Sequence, residues 1–135
     1  SVVEVELRLD GAEPGARAGL AVLGDAYRWI GLQRGADGAV HLVHRFAESV
    51  AEAERDADHP RVAPGGRVRL RIETAPGARC RFSYDLGDGH RPTGQVFAAT
   101  PWRWVGALLG LFALAPAGQG QAGAAEFTRF RIRPQ

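Results

Sequence analysis

The chain has 135 residues, a length that suits one domain with its own hydrophobic core. It carries 17 basic and 15 acidic residues, so the formal net charge of +2 gives no reason to expect a nucleic-acid partner. All of the basic residues are arginine, and lysine, asparagine and methionine are absent. Cys80 is the single cysteine and cannot form a disulfide within the chain, which leaves the redox compartment open.

The first third of the chain reads as a series of short strands. Apolar residues alternate with charged ones from Val3 to Asp10, which is typical of a half-buried strand. A compact apolar strand follows from Ala18 to Leu23, and a third strand runs from Tyr27 to Arg34. A hairpin turn at Ala36–Gly38 then leads into a fourth strand, Val40–Phe46.

The segment Ser49–Asp58 is the one place where a short helix is credible, because Ala and Glu are good helix formers. Strand patterns resume after it, with alternation from Arg67 to Glu73 and again from Arg79 to Leu86. A flexible loop at Gly118–Gly123 precedes the closing strand, Ala125–Ile132.

The run from Trp102 to Leu114 is apolar at both alternating sets of positions, as in a strand that is buried on both faces. Gly106 and Gly110 argue against a helix. The run is also shorter than the ~20 apolar residues that a membrane span needs. We therefore predict a central strand here, in a chain of short strands and close turns that is typical of an antiparallel sandwich or barrel.

Catalytic and metal-binding motifs do not emerge from the spacing of the polar residues. His41 and His44 fall on opposite faces of one strand, and no Cys/His cluster has the spacing of metal ligands. The segment Asp85–Gly89 lacks the acidic spacing of a calcium loop and is interpreted as a hairpin turn. No serine lies in a nucleophile elbow. We therefore expect no catalytic centre, metal or other cofactor.

Aromatic and arginine residues supply the candidate binding sites. Aromatic rings stack on sugars but are more often packed in a core or at its rim, and the candidates for sugar contact are Tyr27, Trp29, Trp102 and Trp104. Five arginines share the outward face of two paired strands, namely Arg67, Arg69, Arg71, Arg79 and Arg81. Because like charges across strands are destabilising, acidic partners are expected. A solvated face, an acidic neighbouring domain and an anionic polysaccharide all remain open.

Several segments together resemble the concanavalin A-like β-sandwich at the C-terminus of glycoside hydrolase family 43 enzymes. They are GARAGLAVLGDAYRWIGLQR, RVRLRIE followed by RFSYDLGDG, and WVGALLGLFA followed by AEFTRFRI. The family typically shows an "RAGL" strand, a "YSLDG" hairpin, a "W-I/V-G-x-x-x-GLF" strand and "ADFDYFR" near the end. Here Thr128 and Arg129 replace acidic and aromatic positions of the last motif, and the family's N-terminal strands are expected to be missing.

The resemblance implies an all-β fold, a two-sheet antiparallel jelly roll that forms one module over residues 1–135 and is a fragment of a larger glycoside hydrolase. The parent would be a β-xylosidase or α-L-arabinofuranosidase whose catalytic carboxylates lie on a five-bladed propeller of the same polypeptide. This chain would be the non-catalytic module that supports the propeller, with the five arginines at the interdomain contact. The alternatives are a carbohydrate-binding module for xylan or arabinan, and an interaction domain unrelated to sugar.

Neither a nucleic acid nor a membrane is expected as a partner. The compartment stays open. For the sandwich core we predict an alternating apolar set: Val3, Val5, Leu7, Leu20, Ile30, Leu70, Ile72, Phe82, Leu111, Phe112 and Phe127.

Overall fold

The structure is a computed structural model that describes residues 2–10, 14–23, 27–49, 51–76, 79–98, 108–114 and 124–133. Of these, residues 10, 23, 95–98, 108–114, 124–126, 130 and 132 are described by their backbone alone. The strands in these ranges are β1 (Val2–Asp10), β2 (Arg17–Leu23), β3 (Tyr27–Arg34), β4 (Val40–Ala47), β5 (Arg55–Asp56), β6 (Arg61–Val62), β7 (Arg67–Ala75), β8 (Arg79–Asp85), β9 (Arg91–Ala98), β10 (Leu108–Leu114) and β11 (Ala124–Arg133).

The strands form two antiparallel sheets, which confirms the predicted all-β sandwich. One sheet has five strands in the order β11-β1-β7-β8-β9. The other has six, in the order β10-β2-β3-β4-β5, with β6 also pairing with β4. Among the described residues, no helix is long and apolar enough to cross a membrane.

The core lies between the sheets, and on β1 and β7 buried side chains alternate with outward ones along the strand. Eight of the predicted core residues are at most 2% exposed: Val3, Val5, Leu7, Leu20, Ile30, Leu70, Ile72 and Phe82. Each such burial contributes roughly 1.5–3 kcal/mol. Phe127 is partly buried and packs against this cluster. The side chains of Leu111 and Phe112 lie outside the described residues, so their burial stays a prediction.

The apolar run near the C-terminus forms a strand, but not a central one in the described part of the chain. Its residues from Leu108 onward form β10, which pairs there with β2 alone and ends the order of the six-stranded sheet. Residues 102–107 lie outside the described ranges. Among the described strands the prediction of a central position is wrong, because apolarity on both faces reports burial, whereas sheet order depends on pairing between distant segments.

The short helix that the sequence makes credible at Ser49–Asp58 is not formed by the residues that the structure describes there. The chain turns instead, with the Glu52 N–H bonded to the Ser49 carbonyl oxygen at 3.2 Å, and then forms β5 against β4. A helix of this length is marginal by itself. Contacts of Glu54 with side chains of the six-stranded sheet stabilise the extended path that the chain adopts.

Candidate binding surfaces

The outer face of the five-stranded sheet carries a row of shared ion pairs. β1 lies between β11 and β7, and its outward residues Glu4 and Glu6 each face arginines on both sides. Arg71 Nε lies 3.3 Å from Glu4 Oε1, and Arg133 on β11 bonds to the same carboxylate. Arg69 Nη2 lies 3.8 Å from Glu6 Oε2. The carboxylates that the sequence analysis expected for Arg69 and Arg71 are therefore supplied by the neighbouring strand.

A bulge in β11 adds another cation to this face. The pairing of β1 with β11 shifts between Glu4, which faces Arg131, and Glu6, which faces Thr128. Within the shift Arg129 has φ 53°, a left-handed conformation that is costly for a residue with a Cβ. Its Nε lies 3.4 Å from Glu6 Oε2. This residue stands where the resemblance leads one to expect an acidic or aromatic side chain.

The face keeps a surplus of positive charge after these pairs are formed. Arg67, Arg79 and Arg81 are exposed, and no described carboxylate lies within ion-pair distance of them. Arg81 stands opposite Glu73 in the register, and Arg67 stands opposite another arginine. We call the outward arginines of β7, β8 and β11 the arginine face: Arg67, Arg69, Arg71, Arg79, Arg81, Arg129, Arg131 and Arg133.

The arginine face is shallow. Three depressions of about 290, 120 and 70 Å³ adjoin Glu6 and are lined by its arginine neighbours. Ligand pockets typically enclose ~300–1,000 Å³. Depressions of this size accommodate single side chains of a partner better than a whole small molecule.

The aromatic candidates on β3 lie on the outer face of the other sheet. Trp29 is only 2% exposed and packs against Ala21 and Val43. The guanidinium carbons of Arg17 and Arg45 lie 5.2 and 5.8 Å from the centre of its ring. Trp29 therefore presents no open ring face for stacking on a sugar. Trp102 and Trp104 lie outside the described residues.

Glu54 holds the loop before β5 against this aromatic cluster. Its Oε1 accepts a hydrogen bond from Arg17 Nη1 at 2.8 Å. Its Oε2 accepts bonds from the Tyr27 hydroxyl at 2.8 Å and from Trp29 Nε1 at 3.1 Å. Burial opposes ionisation, but these donors outweigh it and hold the pKa of Glu54 below its usual value. Burial, together with the hydrogen bond to Glu54, raises the pKa of Tyr27 to about 12.

Sequence reasoning missed the role of Glu54, which lies in the segment where a short helix was credible. The three donors belong to β2 and β3, between 25 and 37 residues away in the chain. No local pattern links a loop carboxylate to donors at such separations. Only the paired strands bring Arg17, Tyr27 and Trp29 onto one face.

A groove of about 520 Å³ lies on the same outer face, between the β3–β4 hairpin and the segment that precedes β6. Gln33, Arg34, His41 and Arg45 supply its polar lining, and Val43 and two prolines supply apolar surface. Gln33 and His41 are direct partners in the register of β3 and β4. The sequence analysis did not identify this groove.

The second histidine of β4 points the opposite way, into the sandwich. His44 is 2% exposed, and its ring centre lies 4.7 Å from that of Phe82. Its Nδ1 lies 3.2 Å from Thr93 Oγ1, which donates to Asp58 Oδ2 at 2.8 Å. Burial and the nearby Arg28 guanidinium lower the pKa of His44 to about 3. Its imidazole is therefore neutral near pH 7.

The described residues contain no group of three or more His, Cys, Asp or Glu side chains that could hold a metal ion. Cys80 is buried.

Comparison with known proteins assigns the family. The sequence model of one family, the beta-xylosidase C-terminal concanavalin A-like domain, matches residues 1–133, almost the whole chain. The chain belongs to this domain family. A search of curated protein sequences finds no match.

Solved structures of family 43 glycoside hydrolases contain the same fold. A GH43 enzyme engineered for both endo-xylanase and exo-arabinofuranosidase activity is 21% identical, with a TM-score of 0.73, and the match covers 93% of this chain and 28% of that one. A bifunctional GH43-CE protein of Bacteroides eggerthii is 22% identical, with a TM-score of 0.78, over 93% and 16% of the two chains. Xylan beta-1,4-xylosidase from Bacillus halodurans C-125 is 14% identical, with a TM-score of 0.72, over 93% and 26%.

This chain therefore corresponds to about a quarter or less of the length of each of these enzymes. In them the sandwich is joined to a catalytic domain.

Proposed function

We propose that this chain is the non-catalytic accessory sandwich of a hemicellulose-degrading glycoside hydrolase of β-xylosidase or arabinofuranosidase type, and that it supports a catalytic propeller in the same polypeptide. The observation that carries the proposal is the family match over residues 1–133. The similar structures add support, because the chain spans only 16–28% of those enzymes.

The state of the carboxyl groups supports a non-catalytic role. A glycosidase needs two carboxyl groups across the scissile bond, one of them with a raised pKa so that it can act as an acid. Among the described carboxyl groups, the shifts that are resolved at Glu54, Asp58 and Asp85 all lower the pKa. In each case hydrogen-bond donors and nearby positive charges outweigh the effect of burial. These groups are poor candidates for the acid.

The arginine face is the surface that we propose contacts the propeller. The face is cationic on β7, acidic on β1 and cationic again on β11. A complementary partner would place acidic groups opposite β7 and β11, and basic groups opposite β1. A folded protein surface can present such an alternation. The exposed ion pairs already present contribute only ~0–1 kcal/mol each, so a partner that offers better geometry can replace them. Arginine suits this role because its planar guanidinium binds carboxylates in a bidentate manner.

Two experiments test the proposal. The 135-residue chain, assayed on aryl xylosides and arabinofuranosides, should give the rate of the buffer alone, and turnover abolished by one carboxylate substitution in this chain would refute the non-catalytic role. In a polypeptide that joins the chain to a family 43 propeller, replacing Arg79 and Arg81 by Glu should lower the temperature at which the enzyme loses half of its activity. The matched control is Arg55→Glu on the other sheet, which should have no such effect.

A further inference from the structure

The groove beside Trp29 combines a size, a charge and a polarity that point to one class of ligand. At about 520 Å³ it is larger than the depressions of the arginine face, and it falls in the ~300–1,000 Å³ range of ligand sites. Its lining includes Arg34 and Arg45 but no aspartate or glutamate. The docking role proposed above makes no use of this surface, which lies on the opposite sheet.

The polar groups of the groove are mainly hydrogen-bond donors. Arg45 Nε donates to Asp56 Oδ1 at 3.0 Å, and Arg45 Nη1 donates to Gln33 Oε1. These two bonds position the guanidinium and leave its other N–H groups available. They also engage the amide oxygen of Gln33, so the free end of that amide is its NH₂ group. Arg34 Nη1 donates to the Gly38 carbonyl oxygen at 2.5 Å, which leaves other terminal N–H groups of this guanidinium as donors. A ligand rich in acceptor oxygens would satisfy this lining.

The carboxylates near the groove offset only part of its positive charge, because Asp56 forms an ion pair with Arg45 and no described carboxylate forms one with Arg34. Asp56 is bonded to Arg45 and is not part of the lining. Asp37, at the tip of the β3–β4 hairpin, is exposed and accepts a hydrogen bond from the Ala39 N–H at 3.0 Å. Two guanidinium groups beside one paired carboxylate leave a net positive charge, which favours a ligand that carries a carboxylate.

The apolar part of the lining favours a sugar ring over a bare anion. Val43, Pro14 and Pro60 supply C–H surface next to the donors. A pyranose has an apolar face of ring C–H groups and an edge of hydroxyl groups, so it can contact such a surface and the donors at once. The walls are also held in place, because the Gly15 N–H bonds to the Arg34 carbonyl oxygen at 2.7 Å and the Gly35 N–H to the Ala39 carbonyl oxygen at 2.7 Å.

We propose that this groove binds a carboxylate-bearing sugar unit, a uronic acid side group on a xylan chain. The carboxylate would contact the guanidinium of Arg45 and the amide NH₂ of Gln33, with the sugar ring against Val43 and Pro60. The choice of xylan as the polymer rests on the proposed function, whereas the carboxylate and the sugar ring rest on the groove itself.

The test is a titration of the ¹⁵N-labelled 135-residue chain, followed by NMR at low salt. Glucuronate-substituted xylotriose should shift the amide signals of Gln33, Gly35 and Arg45, and unsubstituted xylotriose should bind at least tenfold more weakly. Gln33→Glu places a carboxylate in the groove and should weaken binding at least tenfold. Arg34→Gln removes a cation of the groove and should also weaken binding, which provides a second test if Gln33→Glu does not fold. Arg67→Gln, on the opposite sheet, should bind as the unchanged chain does.

Three results would overturn the proposal: no shifts at these amides, equal binding of unsubstituted xylotriose, or equal binding of acetate, which would indicate a simple anion site. Equal binding of digalacturonate would support the uronate site and overturn the choice of xylan. That result would count against the link to the proposed function without affecting the groove.

Discussion

His44 makes the stability of this sandwich depend on pH, because it is buried in its neutral form. In the folded chain the pKa of His44 is lowered to about 3, whereas an exposed histidine in the unfolded chain titrates near 6.5. Between these values the unfolded chain binds one more proton than the folded chain at this residue. The contribution of His44 to the free energy of unfolding is therefore fully present above about pH 6.5 and is lost as the pH is lowered toward the folded pKa.

The size of the effect follows from the linkage between proton binding and folding. Each pH unit below the unfolded pKa removes about 1.4 kcal/mol, so lowering the pH from 7 to 5 should remove about 2 kcal/mol. The loss over this interval does not depend on how far below pH 5 the folded pKa lies. Of the charged groups facing His44, Arg28 on β3 lowers its pKa and Asp58 raises it, after the larger effect of burial.

Other titrating groups need a control. Burial, followed by the nearby Arg71 guanidinium, lowers the pKa of His90, so His90 acts in the same direction over the same interval. The lowered pKa of Asp58 affects stability below 3.8, the ordinary pKa of an aspartate, and therefore outside the interval from pH 7 to 5. The contribution of His44 is therefore measured as a difference between the unchanged chain and a variant without this titratable group.

The measurement is urea unfolding of the unchanged chain and of His44→Gln at pH 7 and pH 5. The variant should lose about 2 kcal/mol less than the unchanged chain over this interval, because glutamine does not titrate. Equal losses in the unchanged chain and His44→Gln would refute the argument that His44 is buried in its neutral form.

Three further predictions concern packing and the Glu54 contacts. Phe82→Ala should cost about 3–5 kcal/mol in urea unfolding, because Phe82 is fully buried between the sheets; a cost below 1 kcal/mol would contradict this. Gly31→Ala should lower the melting temperature, since its Cβ would lie 2.1 Å from the Ala18 carbonyl oxygen, and an unchanged melt would show that the strands are not so close. Glu54→Gln should destabilise the chain by about 1–3 kcal/mol, because the donors of Arg17, Tyr27 and Trp29 lose their charged acceptor. The change should also expose the Trp29 indole to water and red-shift the tryptophan fluorescence. An unshifted spectrum would contradict this exposure.

Local sequence patterns were enough to predict most of the strands and the face of each strand that is buried. Alternation of period two assigned Val3, Val5 and Leu7 to one face of β1 and Glu4 and Glu6 to the other, because successive side chains of a strand point to opposite sides. The same rule placed the arginines of β7 and β8 on a shared outward face. The family resemblance supplied the two-sheet arrangement, which alternation alone could not separate from a barrel.

Tertiary structure decided everything that depends on which strands are neighbours. Arg133 reaches Glu4 across 129 residues of sequence, and the Glu54 carboxylate gathers donors from two other strands. Sequence periodicity identifies the face of a strand on which a residue lies, but it holds no information on the strand that lies beside it. For that reason Trp29 was a candidate for sugar contact by pattern, and it is buried under Arg17 and Arg45 in the folded chain.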